Sequence, residues 1–185
     1  MKRYSTTILL LVLFPILLLA QQKTENERNQ SPSFRINAYP IEVEMELAIS
    51  KSISVMNAAG FNLFEEGISG IDILKDSNPY IQVFPRYYYN LDKRSKENKT
   101  ISGFSGNYIG LYTLLDLQGV GEPNYINNQN EFWIGPTWGI QRKISDVAHL
   151  DLFLGYGLGW YLDEPFFSGM PSSPLIGLKV GIYLN

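Results

Sequence analysis

The segment from Ala148 to Leu162 alternates between bulky apolar residues and small or polar ones. From Leu150 onward the even-numbered positions are apolar, whereas the odd-numbered positions include three glycines, His149 and Asp151. Because successive side chains of a strand point to opposite faces, this pattern predicts a long strand with one apolar face. Strands that cross a lipid bilayer alternate in this way, because one face meets acyl chains and the other a polar lumen. The side chains predicted to face lipid here are Leu150, Leu152, Leu154, Tyr156, Leu158 and Trp160.

Alternation of this kind recurs along the chain, and no helical period persists. In the last segment Leu178 and Val180 share the apolar face and are also predicted to face lipid. The pattern therefore predicts an all-β protein, an up-and-down antiparallel transmembrane β-barrel of about eight strands. Pro85 interrupts one segment, and because proline cannot donate to the ladder we expect a bulge or local distortion there. The predicted strands are Phe34–Tyr39, Ile41–Ile49, Ser52–Leu63, Tyr80–Leu91, Gly103–Leu117, Glu131–Lys143, Ala148–Leu162 and Pro174–Leu184.

The connections between these strands alternate in length. Ser50–Lys51 and Ser145–Asp146 are short, and Asp92–Ser102 is a charged connector on the same side. Outer-membrane barrels combine short periplasmic turns with longer external loops, so the pattern predicts a barrel with this orientation. The long loops are predicted at Glu65–Asn78, Gln118–Asn130 and Asp163–Ser173.

The first residues are typical of a secretory signal. Lys2 and Arg3 precede an apolar run, Ile8–Leu19, and Ala20 is a suitable residue for cleavage. The alternative is an uncleaved membrane anchor, but the run is shorter than the roughly 20 apolar residues of a spanning helix. The predicted organisation is a signal peptide at 1–20, a flexible leader at 21–33 and an outer-membrane barrel domain at 34–185.

Composition narrows the function classes. The 185 residues contain no cysteine, which excludes disulfides and thiolate metal sites. Eighteen acidic against 15 basic residues leave no basic footprint for nucleic acid. The 25 aromatic residues, 12 Tyr, 10 Phe and 3 Trp, suit the aromatic girdles of a membrane barrel.

Parts of the sequence resemble a family of small Gram-negative outer-membrane β-barrel proteins, many of them known only as domains of unknown function. The resemblance rests on Pro85–Leu91 with the basic turn and Phe104–Tyr108 after it, on the Glu44–Leu63 hairpin and on the glycine-rich last strands. It implies the barrel fold and the outer-membrane location. It implies no catalytic residues, because the family has no established chemistry.

His149 is the only histidine and the first candidate for chemistry. An acyl hydrolase would need a serine and a carboxylate arranged around it, and only Ser145 lies nearby in sequence. One histidine without cysteine also provides no metal-ligand spacing. We therefore expect a hydrogen-bonded lumen or rim histidine, no catalytic site, no metal and no cofactor.

A second group consists of charged residues with inward parity. Carboxylates at alternate positions of one strand share a face, and in a barrel they would point inward, where charges need partners. Cations with the same parity, Arg35 among them, are available in other strands. We expect Lys143 and Asp151 to lie close together, since they flank the Ser145–Asp146 turn. The predicted network is Glu42, Glu44, Glu46, Arg86, Lys143, Asp151 and Lys179.

Three functions fit these observations. The preferred one is a small outer-membrane barrel that is not an enzyme, with a structural, adhesive or recognition role and no open pore, because side chains just fill an eight-stranded barrel. Its expected partners are outer-membrane lipid and an extracellular ligand or protein at the long loops. The alternatives are a lipid-modifying enzyme of the outer membrane and a soluble, periplasmic lipocalin-like barrel whose apolar face points inward around a ligand.

Overall fold

The computed structural model describes residues 31–63, 77–117, 130–162 and 171–184. The predicted signal peptide, most of the predicted leader and most of the three long loops lie outside these residues. In the described segments no helix has the length and apolarity needed to cross a membrane.

Eight antiparallel strands follow one another around a closed barrel. Each strand pairs with its neighbours in sequence, and the first strand pairs with the last to complete the closure. This arrangement confirms the predicted all-β, up-and-down barrel of about eight strands. The strands are β1 (Ser33–Tyr39), β2 (Ile41–Ala48), β3 (Ile53–Leu63), β4 (Ser77–Tyr88), β5 (Asn107–Asp116), β6 (Glu131–Lys143), β7 (Ala148–Tyr161) and β8 (Ser172–Tyr183).

The connections define two ends of the barrel. At the turn end, residues 49–52 join β2 to β3, residues 89–106 join β4 to β5, and residues 144–147 join β6 to β7. At the loop end lie the other four connections, three of which are the predicted long loops. The fourth is Pro40 alone, between β1 and β2. The first hairpin therefore has a very short connection at the end where the others are long.

The connector from β4 to β5 differs from the sequence prediction. It contains a helix, α1 (Leu91–Lys96), and a 3-10 turn (Ser102–Phe104), so β5 begins at Asn107 and the predicted start at Gly103 is wrong. Gly103 and Phe104 have positive φ angles of 59° and 58°, which turns the chain back before the strand starts. The segment folds back and does not continue as a strand, because this buries Leu91 and Phe104 against the barrel interior.

Hydrogen bonds from β6 and β8 hold this connector across the turn end of the barrel. Gln141 Nε2 donates to the Gly103 carbonyl at 2.9 Å, and Tyr183 Oη donates to the same oxygen at 3.3 Å. Arg142 Nη1 donates to the Gly106 carbonyl at 2.7 Å. On the connector's exposed surface, the hydrogen bond from Lys99 holds the pKa of Glu97 below its usual value. The connector thus covers the turn end of the barrel.

Pro85 creates no bulge, but the ladder is locally distorted as predicted, because no described β5 residue pairs with Phe84 or Pro85. The β4–β5 register is the same on both sides of it, with Val83 opposite Thr113 and Arg86 opposite Gly110. Pairing with β3 continues without interruption through Pro85, and this holds the strand in place although the proline lacks an N–H group. The described register shift lies instead between β1 and β8.

The two faces of the barrel differ sharply in polarity. The outward side chains of the described strands are nearly all apolar, and Arg142, near the turn end, is the one charged residue among them. Leu154, for example, is 53% exposed near the middle of β7. We call this surface the apolar band. It includes the residues predicted to face lipid: Leu152, Leu154, Tyr156, Leu158, Leu178 and Val180, which are exposed, and Leu150 and Trp160, which are partly buried.

Candidate functional site: a buried charge network inside the barrel

The network begins with three carboxylates on β2. Glu42, Glu44 and Glu46 occupy alternate positions, so all three point into the barrel, where each is buried. Three adjacent carboxylates in an interior need cations and hydrogen-bond donors around them, because an uncompensated buried charge is costly.

Arg35 supplies the first cation. It lies on β1 directly opposite Glu44, with which it forms an ion pair, and its Nη2 is 2.5 Å from Glu46 Oε2. Both partners are fully shielded from solvent. One nitrogen of the guanidinium therefore serves two neighbouring carboxylates, which its two N–H donors permit.

Arg86 supplies the second cation, on the opposite wall. Its Nη2 is 2.7 Å from Asp151 Oδ2, and its Nη1 donates to Gln141 Oε1 at 2.6 Å. The guanidinium carbon lies 4.3 Å from the ring centre of Phe84 and 4.4 Å from that of Tyr108. Tyr108 also donates to Asp151 Oδ1 at 2.8 Å. The Arg86–Asp151 pair is therefore enclosed by aromatic rings, which exclude water and strengthen the interaction.

Glu46 connects the two arginine groups. Gln141 Nε2 donates to Glu46 Oε2 at 3.0 Å, and Arg86 Nη1 lies 3.9 Å from the same oxygen. Tyr88 and Ser54 donate to the other oxygen at 2.8 and 2.5 Å. Residues 95 positions apart thereby meet across the lumen.

Lys179, on β8, supplies the third cation. Its ammonium lies 2.8 Å from Glu42 Oε1 and 3.3 Å from Glu44 Oε2, and it donates to Gln82 Oε1 at 2.8 Å. An ammonium has three N–H donors, and Lys179 has three acceptors around it. Its donor capacity is therefore filled within the protein.

His149 belongs to the edge of this network. Its Nε2 is 2.5 Å from Asn37 Oδ1, and Asn37 Nδ2 donates to Glu42 at 2.5 Å and to Glu44 at 3.2 Å. The side chain of His149 is buried and points inward. The structure thus places the histidine in the lumen and gives it a hydrogen-bond partner.

The structure brings together six of the seven side chains predicted for the network. Lys143 is the exception: its Nζ lies 3.3 Å from Asp146 Oδ1, and the side chain is partly exposed at the turn end. The expected contact between Lys143 and Asp151 is wrong, because the β6–β7 register places Gln141 opposite Asp151 and Lys143 opposite His149. Two residues along a strand move a side chain by about 6.6 Å, which separates Lys143 from the network.

Sequence reasoning missed several members of the network that the structure reveals. Their inward parity was visible, but parity does not tell which residues meet across the lumen. A search for every polar or tyrosine residue with inward parity, and not only for charges, would have found them. They are Asn37, Ser54, Tyr80, Gln82, Tyr88, Tyr108 and Gln141.

This arrangement binds the barrel walls together. Four carboxylates and three cations, with amide and phenol groups between them, connect β1, β2, β4, β6, β7 and β8 through the interior. In the part of the chain that the structure describes, no group of three or more acidic or histidine side chains is arranged to hold a metal ion. The network therefore fills the lumen and joins its walls.

The fold and its interior define a class of protein: a closed eight-stranded antiparallel barrel with an apolar outside and a filled, charged inside. Comparison with protein-family models, with curated proteins and with solved structures finds no match to the chain.

Proposed function

We propose that this chain is a small outer-membrane β-barrel protein with a structural, adhesive or recognition role and no open pore. The apolar band carries this proposal: the outside of the barrel is apolar while the inside holds the charges. Soluble proteins rarely expose continuous apolar patches beyond a few hundred Å². A bilayer covers such a surface, and a closed barrel satisfies its backbone groups without help from lipid.

Aromatic residues at both margins of the apolar band support the same location. Toward the turn end, exposed Tyr89 follows the last residue of β4 and accepts a hydrogen bond from Trp138 Nε1 at 2.8 Å. Toward the loop end, Phe132 and Trp160 pack together with ring centres 6.1 Å apart, and Tyr156 is exposed. Membrane barrels carry such aromatic girdles at the two lipid–water interfaces.

The filled interior supports a role without a solute channel. The charge network joins opposite walls, and the connector with Leu91 and Phe104 covers the turn end. A lipocalin-like carrier would need an apolar interior, which is the reverse of the observed arrangement. For a lipid-modifying enzyme, His149 would have to activate a serine, whereas its described hydrogen bond goes to Asn37. In this proposal the long loops are the surface that contacts an extracellular ligand or protein.

Membrane location can be tested by fractionation. We expect the chain, expressed with its first 20 residues in a Gram-negative host, to stay in the outer-membrane pellet after a high-salt, alkaline wash and to require detergent for extraction. The physical reason is the exposed apolar band, which water solvates poorly. Release of folded protein into a detergent-free periplasmic extract would contradict the proposal.

The absence of a pore can be tested in planar bilayers. Purified protein should give no steady conductance above the background of empty micelles, because side chains fill the lumen. An open porin, inserted in the same way, serves as the positive control. Steady, large conductance steps would show an open channel and would contradict a role without a pore.

A further inference from the structure

The wall of the barrel is short where β1 meets β8, and we call this part of the wall the low side. β1 has 7 residues and β8 has 12. Their pairing runs from Arg35 opposite Tyr183 to Tyr39 opposite Val180, and there β1 ends in the Pro40 turn. Among the described residues, no strand pairs with β8 from Ser172 to Leu178 on this side. The first hairpin thus stops well short of the loop end, beside a strand that continues.

A cavity of about 210 Å³ lies at this low side. Inward side chains from three strands line it, Tyr80, Tyr112 and Phe153. Its lining also includes Ile176 and Leu178, which point outward and are 78% and 42% exposed. A cavity with both inward and outward lining residues passes through the side wall. It connects the lumen with the apolar band.

The opening lies within the apolar band. Ile176 and Leu178 sit near the middle of β8, and Tyr39 at the rim is 59% exposed. A ligand that enters here comes from the surface that the proposed function assigns to lipid.

The lining of the cavity is mixed, and its aromatic part suits a hydrocarbon chain. The rings of Tyr112 and Phe153 lie 5.5 Å apart and form an aromatic wall. At the floor, Lys179 is held by Glu42, Glu44 and Gln82, so its charge is compensated and its donors are used. An anionic headgroup would have to displace these partners, whereas an apolar chain leaves them intact.

The edge of β8 that no described strand pairs with also needs hydrogen-bond partners. Backbone groups at membrane depth are tolerated without a strand partner only where they are buried in protein or line a cavity. From Ser172 to Leu178 the edge of β8 lies beside this cavity. An ester carbonyl or water can accept from its N–H groups while an acyl chain occupies the aromatic part.

We propose that this cavity binds one acyl chain of a membrane lipid, which enters sideways from the bilayer between β1 and β8. This inference rests on the proposed membrane location, since only a bilayer presents acyl chains to the opening. The floor formed by the charge network limits how far the chain can enter. The protein would in this way bind a single lipid beside its first hairpin.

Photo-crosslinking tests the inference in vesicles of dimyristoylphosphatidylcholine. The two probes are Tyr112→p-benzoylphenylalanine, inside the cavity, and Tyr156→p-benzoylphenylalanine, on the exposed apolar band. After irradiation, mass spectrometry measures the fraction of protein that carries one lipid. Alkaline hydrolysis then separates the two parts of the lipid, so that a chain adduct retains the mass of myristic acid and a headgroup adduct retains glycerophosphocholine.

We expect lipid adducts at both positions, with myristic acid retained at position 112. An adduct at 156 without one at 112 would overturn the inference and leave the membrane location standing. Absence of adducts at both positions in folded protein would overturn the proposed function as well. Retention of glycerophosphocholine at 112 would show a headgroup site and would also overturn the inference. If the Tyr112 variant does not fold, Leu114→p-benzoylphenylalanine probes the same cavity with the same outcomes.

Discussion

Replacement of Arg86 by methionine is expected to lower the free energy of unfolding by about 3–5 kcal/mol. Methionine fills similar space between Phe84 and Tyr108 but leaves the Asp151 carboxylate without its cation, in a place where no side chain reaches solvent. Gln141 also loses a partner. The measurement is equilibrium urea unfolding of the purified protein in phospholipid vesicles, followed by tryptophan fluorescence.

Two matched variants show whether burial of the charge is the cause. Lys143→Met removes a cation whose partner, Asp146, is fully exposed, so we expect a loss within about 1 kcal/mol. In the double variant Arg86→Met with Asp151→Leu, the uncompensated carboxylate is gone and part of the loss should be recovered. Equal losses for Arg86→Met and Lys143→Met would show that the network does not stabilise the barrel.

Introduction of arginine at Leu154 is expected to cost about 2–4 kcal/mol in a bilayer, because the side chain lies outward near the middle of β7. Lipid cannot solvate a guanidinium at this depth, whereas water can. Unfolding in vesicles measures the loss, and Leu154→Met reports the part that arises from altered packing alone.

An arginine nearer the membrane surface provides the decisive control for this prediction. Ala148 has the same outward parity but lies at the turn end of β7, where an arginine should cost only about 0–1 kcal/mol. Equal small losses at 148 and 154 would mean that water, not lipid, covers both positions. From the strand pattern alone, inward Gly157 would also be expected to tolerate arginine. A Cβ at this position would lie 2.9 Å from Leu175 Cδ1, however, so a loss of stability at 157 would reflect crowding and not lipid.

The number of strands and the sorting of side chains between the two faces follow from sequence alone. Period-two alternation is a local property, because each residue's face depends only on its neighbours in an extended strand. This is why the pattern from Leu150 to Leu162 predicts the apolar face of β7. The alternation in the β2 segment likewise places Glu42, Glu44 and Glu46 on one inward face. The same pattern could not show the helix and turn between β4 and β5, since that segment folds back to bury Leu91 and Phe104 against distant residues.

The partners within the lumen were decided only by the tertiary structure. Which residues meet across a barrel depends on the stagger of all eight strands, so the contacts of Glu46 with Arg35 and Gln141 cannot be read from any one segment. Lys143 shows the consequence: its parity is inward, but the register places it at the turn end beside Asp146. The opening beside Tyr39 has the same origin. A short first strand, Phe34–Tyr39, is predicted from the sequence, but only the closure against a longer β8 turns its shortness into a side entrance.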